Sequence, residues 1–288
     1  MNIAVTGASG FFAKYVLHEL IHFGYDVIAI DKKPMHPTDA RFEFRLADLT
    51  KMEEATRALA GVDGVIHLAG IPHPLSDPPQ EVYAANALGT FTTAWAAGEI
   101  GIKTFVFASS ESVLGTAFHP EVFQPQYLPI DERHPTVPLD PYGISKVAAE
   151  SAVESCAERF GFVAAALRMP WIWGIDSPER RTLYQQLITE FPNWRKNLWA
   201  FVDARDAARA FVQVLRVQLE PRMLHKYYIV ADHTWIAPLK TTRNLIEEYF
   251  PNTHVPHEPD EYFSLISNAK AKAELGWAPE FEAEKLLN

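Results

Sequence analysis

Along the first two thirds of the chain, short apolar runs alternate with longer stretches of helical spacing. The runs are I-A-V-T (3–6), D-V-I-A-I (26–30), F-E-F-R-L (42–46), G-V-I-H-L-A (64–69), T-F-V-F-A (104–108) and F-V-A-A-A-L-R (162–168). Their β-branched and aromatic content marks them as strands. Most are apolar at consecutive positions, so both faces of each strand need cover. Helical spacing occupies 11–23, 51–60, 80–100 and 142–160. Strands that are buried on both faces and separated by helices predict an α/β fold, a doubly wound parallel sheet.

After Pro170 the pattern changes. Residues 171–203 hold Trp171, Trp173, Trp194 and Trp199 with few strand-like runs. A helix over 204–218 and a strand K-Y-Y-I-V-A (226–231) predict a return to the sheet. The remainder is helical with proline-rich breaks. The expected organisation is a sheet domain of 1–170, rejoined by 204–232, and a smaller substrate lobe of 171–203 and 233–288. That lobe is expected over the carboxyl edge of the strands.

Charge and composition narrow the function classes. The formal charge is −10 and no block of Lys and Arg occurs, which argues against a nucleic-acid groove. Cys156 is the single cysteine, so no internal disulfide forms; within a helical pattern it is expected as a small core residue. No apolar run approaches the roughly 18 residues that span a bilayer, so no membrane partner is expected. The chain starts directly on a strand without a signal-peptide pattern, and the expected location is the cytoplasm.

Two motifs overlap near the start. T-G-A-S-G-F-F-A (6–13) spaces Gly7, Gly10 and Ala13 as G-x-x-G-x-x-A between a strand and a helix. In this Rossmann context Gly7 permits the tight turn, Gly10 lets the backbone approach a pyrophosphate, and Ala13 allows helix–strand packing. The helix N-terminus then faces the phosphates with free N–H groups. Asp31 ends the second strand, where a carboxylate bonds ribose hydroxyls and repels a 2′-phosphate. NAD is therefore the expected cofactor, with NADP left open by Lys32 and Lys33. The overlapping H-E-L-I-H (18–22) has zinc-protease spelling. However, Val16, Leu17, Leu20 and Ile21 form the stripe that must be buried, which turns His18 and His22 to solvent. No metal is expected.

P-Y-G-I-S-K (141–146) puts Tyr142 and Lys146 on one face of a helix, a turn apart. An unperturbed Tyr is a poor base at neutral pH, and a neighbouring cation favours its phenolate. Upstream, F-A-S-S-E-S-V-L-G (107–115) follows the fifth strand, which delivers Ser110, Glu111 and Ser112 to the ligand edge of the sheet.

With these motifs in order, the chain resembles the extended short-chain dehydrogenase/reductases of the NAD-dependent epimerase/dehydratase family. The likeness runs through Asp48-Leu49, H-L-A-G (67–70), N-A-L-G-T (86–90), L-R-M-P-W-I-W-G (167–174) and F-V-D-A-R-D-A-A-R-A (201–210). It also includes the terminal S-N-A-K-A-K-A-E-L-G-W-A-P (267–279). The resemblance implies Ser110, Tyr142 and Lys146 as catalytic residues, with Tyr142 exchanging a proton at the oxygen of the carbon that exchanges hydride. It implies cofactor contacts from Gly7, Ser9, Gly10, Phe11, Phe12, Asp31, Asp48, Leu49, Leu68, Ala69, Gly70, Asn86, Ala108, Tyr142, Lys146, Pro170 and Ile172. A homodimer through helices near 88–100 and 142–158 is implied as well.

Three departures bear on the substrate. Dehydratases of the family carry Thr-Asp-Glu where this chain has Ser110-Glu111-Ser112, and Ser112 cannot be the base of an elimination. Nucleotide-sugar enzymes often carry Asn at the position of Trp171. Finally, 288 residues leave a short lobe. The expected substrate is a small sugar-like alcohol or ketone, with His73, Ser110, Glu111, Ser112, Trp171, Trp173, Arg180 and Arg181 as candidate contacts. A nucleotide-sugar epimerase or dehydratase, or a non-catalytic dinucleotide-sensing protein, are the alternatives.

Overall fold

A computed structural model describes residues 1–35, 41–119, 123–174, 178–257 and 260–283. Seven parallel strands form one sheet: β1 (Asn2–Thr6), β2 (Asp26–Asp31), β3 (Phe42–Leu46), β4 (Gly64–His67), β5 (Thr104–Ser110), β6 (Val163–Met169) and β9 (Leu224–Tyr228). Their order is β3-β2-β1-β4-β5-β6-β9. A separate parallel pair joins β7 (Trp171–Trp173) to β8 (Phe201–Asp203). Helices α1 (Ala13–His22), α2 (Met52–Ala58), α3 (Pro79–Tyr83), α4 (Gly89–Glu99), α5 (Pro141–Phe160) and α7 (Ala204–Val214) connect the strands. Helix α6 (Pro178–Thr189) follows β7, and α8 (Thr242–Tyr249) and α9 (Ala269–Leu275) come after β9.

The strands alternate their side chains between two cores, as period two requires. Ala4, Ile28, Ile30, Val65, Phe105 and Phe107 face the layer that α4 and α5 cover. Ile3, Val5, Val27, Ile66, Val106 and Leu167 face the layer of α1 and α7. This double cover is why the strands read as continuous apolar runs rather than alternating ones. A third core lies beyond the carboxyl edge and gathers Trp173, Trp199, Phe201, Trp235, Leu245 and Phe250. The segment between β5 and α5 contributes Val113, Leu114, Leu128 and Ile130 to it.

Several expected elements differ from their sequence ranges. The helix expected over 204–218 ends at Val214, and the strand expected over 226–231 spans Leu224–Tyr228. The fourth strand ends at His67 rather than residue 69, because the N–H groups of Leu68 and Ala69 turn onto the Thr6 hydroxyl at 3.1 and 3.2 Å. The helix expected over 80–100 is broken by a π-helical turn over Ala84–Leu88, centred on Asn86. The Thr90 hydroxyl donates to the Asn86 carbonyl at 2.5 Å just after that turn. Among the described residues, no helix is long and apolar enough to cross a membrane.

Candidate active site

The glycine loop follows β1 directly. Gly7 has φ of 66°, a left-handed backbone that glycine adopts without strain. A Cβ there would lie 2.7 Å from the backbone nitrogen of Ala69, so the loop and the end of β4 are in van der Waals contact. Ser9 donates its N–H to Asp31 Oδ2 at 3.0 Å, and Lys33 donates to Asp31 Oδ1 at 2.8 Å. Asp31 therefore ties the loop to the end of β2, which sequence reading had not foreseen. No side chain caps the start of α1, and its first turn holds no acid. That uncapped N-terminus suits an anionic phosphate. A bare cradle, an open helix start and a carboxylate at the end of the second strand fit a dinucleotide.

The remaining cofactor candidates gather along the same edge. Phe12 packs on Phe211 with ring centroids 5.6 Å apart, and Phe11 stays partly exposed. Asp48 accepts from both the N–H and the hydroxyl of Thr50, which holds its carboxyl below the usual range. Leu49 is buried, and Ile172 packs against the same core layer as Phe12 and Leu68. Pro170 is buried between β6 and β7.

Asn86 is fully buried and its amide is committed to the protein. It accepts from Ile71 N–H at 2.7 Å and donates to the Ile71 carbonyl and to Ser145 Oγ, both at 3.1 Å. It thus holds the loop that follows Gly70 against α5. His67 was not singled out by sequence, although it opens H-L-A-G. The Thr6 hydroxyl oxygen accepts two N–H groups, so its proton goes to His67 Nδ1 at 2.8 Å. His67 Nε2 then carries the ring proton and donates to Thr90 Oγ1 at 3.1 Å. Burial pushes His67 down to about 3, so the imidazole is neutral throughout the working range.

Ser110 ends β5 and lies buried beside Glu111 and Ser112 in a 3-10 turn. Its oxygen caps that turn by accepting from Ser112 N–H at 3.1 Å, while its side chain also contacts the Tyr142 phenol. Tyr142 sits in the first turn of α5, where Pro141 fixes the helical φ and Asp140 accepts from the N–H groups of Tyr142 and Gly143 at 2.9 Å. Gly143 permits this approach: a Cβ there would lie 2.5 Å from the Ser112 carbonyl oxygen. One turn on, Lys146 donates to the Ala108 carbonyl at 2.8 Å, with its nitrogen 5.4 Å from the centre of the Tyr142 ring.

The electrostatics differ from the expected phenolate. Burial pushes Tyr142 up to about 12, against the opposing contact with Ser110, and burial also brings Lys146 down to about 8. The protein alone therefore keeps Tyr142 as a phenol at neutral pH. Glu111 is likewise driven well above the carboxylate range by burial, and its Oε2 has no hydrogen-bond partner.

The substrate candidates separate. Trp171 is half-buried and stacks on Trp194, with centroids 5.0 Å apart and planes at 21°. Trp173 is fully buried, stacked on Tyr184 at 4.0 Å, so direct substrate contact is closed to it; it braces Trp171 edge-on instead. Strand alternation explains the pair: Ile172 faces the cofactor side, while both indoles face the third core. His73 is exposed and meets Phe118 edge-on at 5.2 Å. Arg180 and Arg181 fall in the first turn of α6, and their side chains lie outside the described residues. On α1, His18 and His22 are exposed, opposite the buried Val16, Leu17 and Leu20.

The sequence model of the NAD dependent epimerase/dehydratase family matches residues 3–225, more than three quarters of the chain. The chain belongs to this family. It is accordingly an NAD-dependent enzyme of the short-chain dehydrogenase/reductase type. Among its relatives, a UDP-glucose 4-epimerase of Lacticaseibacillus casei is 25% identical, covering 98% of this chain and 93% of the relative. A uronate dehydrogenase of Pseudomonas syringae pv. tomato is 29% identical over 58% of each. A short-chain dehydrogenase/reductase superfamily protein of Agrobacterium tumefaciens, solved with NAD bound, shares the fold. Its TM-score is 0.73 at 21% identity, over 100% of this chain and 95% of that one.

Proposed function

We propose that this family member moves a hydride between NAD and a secondary alcohol or ketone carbon of a small sugar-like substrate, with Ser110, Tyr142 and Lys146 as the catalytic residues. The observation that carries this reading is their meeting at one edge of the sheet: Tyr142 contacts Ser110, and Lys146 is anchored on Ala108 beneath the tyrosine ring. Bound NAD supplies the hydride acceptor or donor. The protein's own groups handle the proton and the position. As a phenol, Tyr142 is set to give its proton to a carbonyl oxygen. Taking a proton from an alcohol requires alkaline pH or added positive charge beside the ring. Ser110 hydrogen-bonds the same oxygen and aims it. Glu111, neutral in its buried place, offers a further hydrogen-bond donor next to Tyr142.

The substrate-side lobe is proposed to comprise 171–203 and 233–288, facing a sheet domain of 1–170 with 204–232. A sugar ring fits the flat face of Trp171, which Trp194 backs. That indole stands where nucleotide-sugar enzymes often carry Asn, which favours a free sugar or sugar acid. Similarity to UDP-glucose 4-epimerases over 98% of the chain supports a second reading, epimerisation of a nucleotide sugar.

A screen decides between the two. Purified protein is incubated with NAD and panels of free sugars, uronic acids and UDP-sugars, following reduced-cofactor absorbance and sugar composition. NADH accumulation with a free sugar or uronic acid is expected. Interconversion of UDP-sugars without net NADH would replace this reading with the second, and inertness toward every panel would remove both.

Asp31 sets the cofactor choice in this proposal. Asp31→Ala removes the acceptor of the Ser9 and Lys33 amides as well as the charge facing a 2′-phosphate. NAD affinity is expected to fall by about tenfold or more, and the NAD-to-NADP ratio to drop further, given about 1.5–3 kcal/mol for hydrogen bonds to a charged group. Calorimetric titration with both dinucleotides checks this, and an unchanged ratio would refute the assignment.

A homodimer is also proposed. Leu88, Phe91 and Ile144 are exposed at 45%, 36% and 43% on the helices that the family resemblance assigns to the interface. Exposed apolar side chains on the turn before α4, on α4 and on α5 favour association. Sedimentation equilibrium is expected to give twice the chain mass, and Ile144→Glu to give the monomer.

A further inference from the structure

Below the Tyr142–Lys146 pair, α5 carries a third residue on the same face. Tyr142, Lys146 and Glu150 follow at intervals of four, and each meets the end of β5. Tyr142 contacts Ser110, Lys146 donates to the Ala108 carbonyl at 2.8 Å, and Ser109 donates its hydroxyl to Glu150 Oε1 at 2.7 Å. Three successive strand residues are thus gripped by three successive turns of one helix. Glu150 is in turn clamped from β6, where Arg168 places Nε 2.9 Å from Oε1 and Nη2 2.7 Å from Oε2. Both side chains are nearly sealed from solvent, with 3% and 5% exposure. A buried fork of this kind contributes little net stability, because desolvating both charges offsets their attraction. Its position beneath the active pair gives it another role.

We propose that Glu150 is a positioning residue for the reaction: locked by Arg168, it supplies the negative charge that keeps Lys146 an ammonium and fixes the register between α5 and β5. The inference rests on the proposed role of Lys146. The groups facing Lys146 leave Glu150 as the anion for this task. From β4 comes His67, neutral by burial. From its own helix come Tyr142, a phenol, and Glu150, one turn away. Glu111 in the turn after β5 is neutral by burial. Beyond Glu150 lie Arg168 and, from β9, Lys226 at 3.9 Å, both cations. Burial pulls the Lys146 ammonium down to about 8, and Glu150 is the charge that opposes this.

The test is a titration of Lys146 in the purified full chain without added ligand. Lysine-selective carbon-13 NMR follows the εCH2 signal, assigned by its loss in Lys146→Met. Glu150→Gln is expected to lower the midpoint by about one unit or more, the size of shift that the loss of a nearby opposite charge produces. Glu150→Asp keeps the charge and is expected to restore the midpoint toward wild type. Removing one partner of a buried ion pair is destabilising, so Glu150→Gln paired with Arg168→Gln is measured alongside. It removes both charges of the Arg168–Glu150 fork together, and the midpoint still moves down because Glu150 is one turn from Lys146 while Arg168 lies beyond it. The alkaline limb of carbonyl reduction is expected to move with the midpoint. An unmoved Lys146 midpoint in Glu150→Gln or in the double variant overturns the proposal, whatever happens to melting temperature. A moved midpoint in a chain that turns over no substrate upholds the electrostatic role while the proposed function fails separately.

Discussion

Replacing Tyr142 by Phe is expected to reduce turnover by about 10²- to 10⁴-fold, the range that a positioned proton donor contributes. The variant keeps the ring, so the packing of the first turn of α5 on the Ser110–Leu114 turn survives. It also keeps the Asp140 cap, which bonds the backbone and not the phenol. What is lost is the oxygen that meets the Ser110 side chain. NAD affinity by calorimetry is therefore expected to match the parent, while formation or consumption of NADH collapses. Undiminished turnover would show that another group moves the proton, with buried and neutral Glu111 the first to examine.

Gly7→Ala is the second large effect, and it acts on the cofactor cradle. Its methyl group would sit 2.7 Å from Ala69 N and 2.8 Å from Ala69 Cα, on a backbone with φ of 66°. Both neighbours are main chain and cannot swing aside. The left-handed conformation alone costs an alanine about 1–2 kcal/mol, and the contact adds to it. Relief requires the loop to move off the end of β4, where Leu68 and Ala69 are held by Thr6. NAD affinity is expected to fall at least about tenfold, together with melting temperature. Calorimetric binding equal to that of the parent would mean that the loop does not approach the dinucleotide as assigned.

Where sequence reading fell short, the cause was burial rather than motif. Tyr142 and Lys146 at four-residue spacing announced a shared helix face, but spacing says nothing about desolvation. In the folded chain desolvation outweighs the opposing hydrogen bond from Ser110, so the tyrosine stays protonated. W-I-W likewise offered two indoles for a sugar. Strand alternation sent both toward the third core, and the stacking of Trp173 on Tyr184 closed it off, while Trp171 kept a partly open position against Trp194. Asp31 looked like a ribose ligand alone, yet it also anchors Ser9 and Lys33.

Local chemistry by itself determined much of this protein. Apolar runs at both-face periodicity demanded a covered parallel sheet, and G-x-x-G-x-x-A after the first strand demanded a tight glycine turn into a helix, because each depends on residues adjacent in the chain. Ser110 and Tyr142 were also legible, since strand ends and helix starts in such a sheet converge on one edge. Tertiary structure alone decided the tautomer of His67, the commitment of Asn86 to Ile71 and Ser145, and the grip of Arg168 on Glu150 beneath Lys146. These join groups 15 to 61 residues apart in the chain. Their hydrogen bonds and charge states follow from distance and exclusion of water, and neither is written in local sequence.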